Sequence, residues 1–175
     1  MTAAPRGDTT MTTSYPDKQI EDLIDAKLPF SEIHKMLSGF KDPTRFDQYV
    51  AIMQRRVPWD DTILLPYGVH LFIVQRSDGQ RVVKCDCGHE FGDYHTNWKE
   101  SALVNIRDSE ESLLELYQTM THCDPEWMEL REFFCPGCMA LLEVEALPPG
   151  YPLVFDFLPD LETFYHDWLG RDLPH

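Results

Sequence analysis

The sequence lacks the features that mark several large classes of protein. No stretch of its 175 residues approaches the run of about 18 apolar residues that a membrane span requires. Its N-terminus has no apolar core of the kind found in signal peptides, so we expect a cytoplasmic protein. Its five cysteines are an odd number, which argues against a disulfide framework.

Motifs that bind nucleotides or build hydrolytic sites are lacking as well. The sequence has no Walker A loop, no dinucleotide-binding glycine fingerprint, no G-x-S-x-G nucleophile elbow and no H-E-x-x-H metal motif. Its histidines are isolated, and its carboxylates are so numerous that close pairs arise by chance. We therefore predict no catalytic residue and no cofactor-binding residue in this chain, apart from metal ligands.

Positive charge is scarce, above all in the C-terminal part. The formal net charge is −15, from 15 basic and 30 acidic residues. Residues 108–175 contain 15 of the acidic residues but only two of the basic ones. Such a chain repels phosphate backbones and anionic membranes, so we expect neither a nucleic acid nor a membrane as partner. The acidic part is either a solvated face or a surface that docks on a basic partner.

The residues that are present predict an α+β chain. Residues 1–14 are rich in Thr and Ala and are expected to form a disordered tail. Apolar residues at helical spacing, interrupted by prolines, predict an N-terminal helical segment over residues 15–60. Residues 61–175 are expected to form a β-rich body with an inserted helix at about 109–121 and a C-terminal docking helix rich in aromatic residues.

Two local signals within this body are specific enough to test. Asp78-Gly79 lies between two apolar runs and predicts a hairpin with a type I′ turn. The stretch Asp108-Ser109-Glu110-Glu111 predicts a capping box at the start of the inserted helix. The apolar residues of that helix, expected on its buried side, are Leu113, Leu114, Leu116 and Tyr117.

Four of the cysteines form two tight pairs, each placed directly after a predicted strand. A turn that aims two thiolates at one point is a zinc knuckle, and two knuckles make the tetrahedral site of a zinc ribbon. A closed four-thiolate site has no open position for water, so its zinc is structural. We predict a zinc-ribbon-like body in which structural Zn²⁺ is bound by Cys85, Cys87, Cys135 and Cys138.

Other interpretations of these residues stay open. The C-x-C spacing of the first pair is tighter than usual, which makes His89 an alternative ligand in place of one thiolate of that pair. A second alternative is that the cysteines bind no metal and are simply reduced thiols. A third is that the C-x-x-C pair is a redox couple, although no thioredoxin-like βαβ unit is predicted. Cys123 has no cysteine near it in sequence and is interpreted as a structural thiol.

An ordered set of motifs, from about residue 16 to about residue 171, is similar to one protein family. The motifs include Lys41-Asp42-Pro43-Thr44-Arg45-Phe46, Val57-Pro58-Trp59-Asp60-Asp61, Cys85-Asp86-Cys87-Gly88-His89-Glu90-Phe91, Arg131-Glu132-Phe133-Phe134-Cys135-Pro136-Gly137-Cys138 and Asp156-Phe157-Leu158-Pro159-Asp160. Together they resemble the gamma, or small, subunit of acetone carboxylase. The C-x-C-G-H-x-F motif and the terminal D-F-x-P-D motif make the resemblance specific.

The resemblance implies a role in a three-subunit ligase with (αβγ)₂ composition, a heterohexamer. Such enzymes carboxylate acetone with bicarbonate to give acetoacetate, in an ATP-dependent reaction of acetone metabolism. The resemblance places the nucleotide, the catalytic metal and the carboxylation chemistry on two large subunits, alpha and beta. The small subunit is implied to be a non-catalytic structural piece, with zinc on the same four cysteines that the spacing selects.

Further functions remain open beside this one. A zinc-ribbon interaction module of another multi-subunit complex has the same closed site, and so does a subunit of a related ketone- or hydantoin-processing enzyme. A small zinc enzyme differs from these, because its metal needs an open coordination position. A zinc ribbon that binds nucleic acid is disfavoured by the net charge.

Overall fold

The computed structural model of the chain describes residues 14–39, 42–118 and 121–174. It divides into two compact units, Met1–Arg56 and Val57–His175. The first unit is helical, and the second contains two antiparallel sheets and a C-terminal helix, which confirms the predicted α+β class. The predicted disordered tail lies outside the described residues except for Ser14. The segment boundary drawn between residues 60 and 61 stays a prediction.

The described residues of the first unit form three helices. They are α1 (Asp17–Ile24), α2 (Phe30–Ser38) and α3 (Arg45–Arg56). Each helix contributes one fully buried side chain to a small core: Ile20, Met36 and Ile52. The carboxylate of Asp42 accepts hydrogen bonds from the backbone N–H of Thr44 at 2.8 Å and of Tyr15 at 3.2 Å. Asp42 therefore orders the residues just before α3 and links them to the residues just before α1.

Seven strands form the two sheets of the second unit. The four-stranded sheet has the order β1 (Thr62–Pro66), β2 (Leu71–Gln75), β3 (Arg81–Cys85), β4 (Glu90–Asp93). The three-stranded sheet has the order β5 (Leu103–Arg107), β6 (Glu129–Phe134), β7 (Leu141–Leu147). The sequence does not predict β4, because acidic residues and glycine disfavour strands and only Phe91 supplies a buried side chain there.

The C-terminal helix packs on the four-stranded sheet. It begins as α5 (Leu161–Thr163), capped by the Asp160 carboxylate, and continues as a π-helical turn over Phe164–Trp168. The Tyr165 hydroxyl donates to the Leu64 carbonyl at 2.8 Å, and the Tyr165 side chain is almost fully buried. This helix is therefore anchored to β1, while Trp168 stays exposed.

The hairpin between β2 and β3 forms, but not with the predicted turn. Only Gly79 has a positive φ, +84°, whereas a type I′ turn requires a positive φ at Asp78 as well. The Gly79 N–H donates to the Arg76 carbonyl at 2.9 Å, and the Arg76 N–H donates to the Gln80 carbonyl at 2.9 Å. Glycine thus supplies the left-handed residue of a bulged, longer loop, and the type I′ prediction was wrong.

The inserted helix is shorter than the predicted range of about 109–121. It is α4 (Glu110–Leu114), and its capping box lies one residue later than predicted. The Ser109 hydroxyl accepts from the Ser112 N–H, and the Ser112 hydroxyl accepts from the Ser109 N–H at 3.2 Å. Leu113 is fully buried, but Leu114, Leu116 and Tyr117 are at least 40% exposed. Because the chain leaves the helix after one turn, the predicted buried stripe does not form; residues 119 and 120 are not described.

No helix in residues 14–39, 42–118 or 121–174 is both long and apolar enough to cross a membrane.

Candidate metal centre

The structure brings the two cysteine pairs together at the ends of two hairpins. Cys85 is the last residue of β3, and Cys135 follows directly on β6. All four sulfur atoms lie within 4.8 Å of one another. Sγ of Cys85 is 3.8 Å from Sγ of Cys138, and Sγ of Cys87 is 3.7 Å from Sγ of Cys135. Each short distance joins one hairpin to the other, so the cluster links the two sheets.

Backbone hydrogen bonds shape the first cysteine turn. The Gly88 N–H donates to the Cys85 carbonyl at 2.9 Å, and the Cys85 N–H donates to the His89 carbonyl at 2.8 Å. Gly88 has a φ of +101°, which side-chain-bearing residues rarely adopt. Glycine at this position therefore lets the chain reverse immediately after Cys87.

The second cysteine turn has a similar hydrogen-bond pattern that is one residue longer and uses a different left-handed residue. The Met139 N–H donates to the Cys135 carbonyl at 2.8 Å, and the Cys135 N–H donates to the Ala140 carbonyl at 2.9 Å. Met139 has a φ of +61°, where a residue with a side chain costs roughly 1 kcal/mol or more. The turn therefore adopts a conformation that the isolated sequence does not favour.

Gly137 lies at the contact between the two turns. A Cβ atom there would lie 2.9 Å from Cβ of His89 and 3.3 Å from Sγ of Cys87. Such approaches are closer than ordinary packing allows, and Cys87 and His89 belong to the other turn. The absence of a side chain at residue 137 is therefore what permits the two pairs to meet.

We predict that Gly137→Ala destabilises the metal-loaded protein by about 1–3 kcal/mol, because the added methyl overpacks this contact. Thermal denaturation and metal affinity measure the effect. Gly68→Ala is the matched control, since its added Cβ meets Leu71 at an ordinary 3.5 Å. Equal losses from the two substitutions would contradict the proposed role of Gly137.

The sulfur geometry fits a tetrahedral metal ion. Zinc–thiolate bonds of about 2.3 Å place the sulfurs of a tetrahedral site about 3.8 Å apart. Two of the sulfur–sulfur distances in the cluster are 3.7 and 3.8 Å, and all four residues are free thiols. Sulfur donors favour zinc and other soft ions over magnesium or calcium. The residues therefore fit the ion that the sequence predicts.

Burial affects the charge of the clustered thiols. Burial raises the pKa of the Cys85 thiol, and hydrogen bonding to Asp86 raises it further, against an opposing hydrogen bond from the Cys87 backbone. A metal ion reverses this effect, because its ligands must be deprotonated thiolates. Cys85 and Cys135 are buried, whereas Cys87 and Cys138 are exposed. The cluster is therefore open to solvent on one side.

His89, the alternative ligand, lies close by but is not part of the group of converging ligand atoms. Its ring packs edge-on against Phe91, with 5.0 Å between the ring centroids. The four-thiolate ligand set and the alternative set with His89 both stay predictions, and the geometry favours the first.

Side chains distant in sequence support the first cysteine turn. Nδ1 of His70 lies 2.6 Å from Oδ2 of Asp86, the residue between the first two cysteines. Nε1 of Trp59 donates to the Asp86 carbonyl at 3.1 Å. The Lys84 ammonium lies 5.1 Å from the centroid of the Trp59 ring. Only tertiary structure reveals these contacts, because no local pattern connects the residues involved.

A buried lysine organises a second polar cluster that sequence reasoning missed. Lys99 is 2% exposed, and its ammonium donates to Glu143 at 3.0 Å and also to Glu145 and Asp156. The three carboxylates alone resemble a cation site, but the ammonium lies at their centre. Although burial opposes it, hydrogen bonding to Asp156, Glu145 and Glu143 raises the pKa of Lys99. Lys99 therefore remains charged and ties β7 to the segment that follows it.

Comparison with known proteins gives a consistent result. A family model described as acetone carboxylase gamma subunit matches residues 57–169, which include both sheets and all four clustered cysteines. The chain is 47% identical over 162 residues to the acetone carboxylase gamma subunit of Xanthobacter autotrophicus, covering 92% of this chain and 96% of that protein. It is 31% identical over 80 residues to the acetophenone carboxylase beta subunit of Aromatoleum aromaticum, covering 45% and 62% respectively. The resemblance seen in the motifs is confirmed: the chain belongs to the acetone carboxylase gamma subunit family.

Proposed function

We propose that this chain is a zinc-binding structural subunit of an ATP-dependent acetone carboxylase and is not itself catalytic. The observation that carries the proposal is the convergence of four cysteine sulfurs within 4.8 Å. Four thiolates fill a tetrahedral zinc shell and leave no position for water or substrate. The reaction proposed for the whole enzyme is the carboxylation of acetone with bicarbonate to acetoacetate.

The proposed role of the zinc is to fasten two hairpins. Cys85 and Cys87 lie between β3 and β4, and Cys135 and Cys138 lie between β6 and β7. Both thiolates of each pair bind the same ion, so the ion joins the two sheets at one point. The free energy of metal binding at such a site is folding free energy, because the unfolded chain does not hold the ligands together.

Two cavities of the described residues support a non-catalytic role for the candidate metal centre, because neither adjoins it. One cavity, of about 440 Å³, is lined in part by Arg81, Glu162 and His166, and Arg81 is paired with Glu162 at 3.1 Å. Another, of about 530 Å³, is lined by polar side chains around Asp61 and Arg76. Neither cavity is lined by a clustered cysteine. The candidate metal centre therefore has no adjoining substrate pocket among these two.

The proposed partners are the alpha and beta large subunits, in an (αβγ)₂ assembly in the cytoplasm. ATP and the catalytic metal are proposed to bind to those subunits and not to this chain. Family membership supports the partners, and the acidic part of the chain supports docking on basic surfaces.

Co-expression of the two large subunits with and without this chain tests the proposal. We expect ATP-dependent formation of acetoacetate from acetone and bicarbonate only when this chain is present, in a complex that retains zinc. Full activity of the two large subunits alone would contradict the proposal, and so would failure of this chain to co-purify with them.

Zinc K-edge X-ray absorption of the same complex tests the ligand set. We expect four sulfur ligands at about 2.3 Å. One nitrogen in place of a sulfur would indicate His89 as a ligand. An oxygen ligand from water would indicate an open site and would favour a small zinc enzyme.

A further inference from the structure

The two sheets have four edge strands, and three of them are protected. An edge strand presents unpaired backbone groups, which proteins commonly protect with prolines, charged residues or bulges. β1 ends on Pro66 and pairs with β2 through a bulge. β4 carries Glu90 and Asp93 and pairs with β3 through a bulge. β7 carries Glu143 and Glu145 and pairs with β6 through a bulge.

The fourth edge strand, β5, has no proline and no bulge, and its one charged residue is already paired within this chain. Its five residues, Leu103–Arg107, pair with β6 in continuous register. It contains no proline, and its single charged residue, Arg107, already donates to Glu132 at 2.8 Å and to Glu115 at 2.7 Å. Within the described part of the chain, no strand pairs with the outer edge of β5. The free edge is therefore regular, apolar and ready for pairing.

The exposure of β5 indicates where its missing neighbour lies. Leu103 is 47% exposed, Val104 45% and Ile106 47%. Successive side chains of a strand point to opposite faces, so Leu103 lies on one face and the other two lie on the opposite face. Similar exposure on both faces is expected when the uncovered side is the lateral edge. A strand added at that edge covers all three side chains and pairs the free backbone groups.

We propose that β5 is the docking site for an extended segment of a large carboxylase subunit, which adds a fourth strand to the three-stranded sheet. This inference rests on the proposed function, because that function supplies the partner. The segment needs aliphatic side chains at alternating positions and lysine or arginine beside them. Main-chain hydrogen bonds supply affinity, and the alternating side chains supply specificity.

Charge selects a basic segment over a second copy of this chain. Residues 108–175, which include β6 and β7, contain 15 acidic and two basic residues. Arg131 donates to Glu129 at 2.7 Å, and the Arg171 guanidinium lies over the Tyr165 ring. Both basic side chains of this part are therefore already engaged. Two copies of a chain with a net charge of −15 repel each other, whereas a basic partner is attracted.

Single substitutions on β5 test the site in the reconstituted complex. Val104→Lys and Ile106→Lys each replace an aliphatic contact with a charge that opposes strand addition. We expect each to weaken binding to the large subunits at least about tenfold, as loss of one buried valine-sized contact implies. Val69→Lys is the control, because Val69 is 76% exposed and lies in the turn between β1 and β2, away from β5. Unchanged binding of both β5 variants would overturn the proposal.

Hydrogen exchange of the wild-type chain tests the same site without any variant. We expect the backbone amides of residues 103–107 that face away from β6 to exchange at least about tenfold more slowly in the complex than in the free chain. A complex that forms while these amides exchange at an unchanged rate overturns the docking site and leaves the proposed function standing. Slowing in the chain alone, increasing with its concentration, would identify a second copy as the occupant and also overturn it. Failure of the wild-type chain to bind the large subunits overturns the proposed function itself.

Discussion

Cys138→Ser is expected to abolish stable zinc binding and to lower the free energy of unfolding by at least about 4 kcal/mol. The Cys138 side chain is exposed, so exchanging sulfur for oxygen removes little packing. Its sulfur is nevertheless 3.8 Å from Sγ of Cys85, on the other hairpin. The lower free energy of unfolding therefore measures the contribution of the bound metal to stability. We expect failure of folding or assembly rather than loss of one catalytic step.

Metal analysis, thermal denaturation and co-purification with the large subunits measure this effect. Cys123→Ser is the matched control, because Cys123 is not part of the sulfur cluster. We expect that control to retain its zinc and its partners. Treating the wild-type chain with a chelator should reproduce the loss seen in the variant. Normal assembly of the Cys138 variant with a full complement of zinc would show that the cluster is not needed for the fold.

Lys99→Met is the second substitution with a large expected effect. We expect it to lower the free energy of unfolding by about 3–5 kcal/mol. Lys99 is 2% exposed, and its ammonium neutralises part of the charge of Glu143, Glu145 and Asp156. Methionine fills a similar volume but leaves three carboxylates close together with no positive charge among them. Chemical denaturation of the metal-loaded protein measures the loss.

The pH dependence of this effect follows from the Lys99 pKa. That pKa is raised in the folded protein, so the stabilisation is fully present below the ordinary lysine pKa of about 10.4. It is lost only as pH rises through the higher value of the folded state. We therefore expect the difference between wild type and variant to persist from about pH 6 to pH 9.

An exposed lysine provides the control for Lys99. The Lys35 side chain is 71% exposed and pairs with Glu32 at 2.8 Å on the surface of α2. Lys35→Met is expected to change stability by less than about 1 kcal/mol, because solvent screens such a pair. Equal changes in the free energy of unfolding for the two variants would contradict the prediction. They would show that the carboxylates around Lys99 turn toward solvent without loss of stability.

Short-range patterns in the sequence were sufficient to predict which four cysteines cluster. Two closely spaced cysteines imply a tight turn that brings their sulfur atoms together. The local geometry of Cys135 and Cys138 could therefore be predicted without knowledge of the fold. The two pairs are distant in sequence, but four thiols and one tetrahedral ion leave few other pairings. The strand that enters each turn could also be predicted, because β3 carries Val82 and Val83 shortly before Cys85 and β6 carries Phe133 and Phe134 before Cys135.

Tertiary contacts explain what the sequence did not predict. The β4 strand forms because it pairs with β3, although Glu90 and Asp93 have low strand propensity. Lys99 is buried because carboxylates that lie at least 44 residues away converge on it, and no local spacing encodes that. The inserted helix stops after Leu114, since a capping signal fixes where a helix begins but not its length.

Native mass spectrometry with metal analysis, on the tagged chain purified from its own cells, tests the central claim most directly. We predict a complex that contains two larger chains and one zinc ion for each copy of this 20.4 kDa subunit. A metal-free species of 20.4 kDa that never associates with larger chains would contradict both the zinc centre and the subunit role.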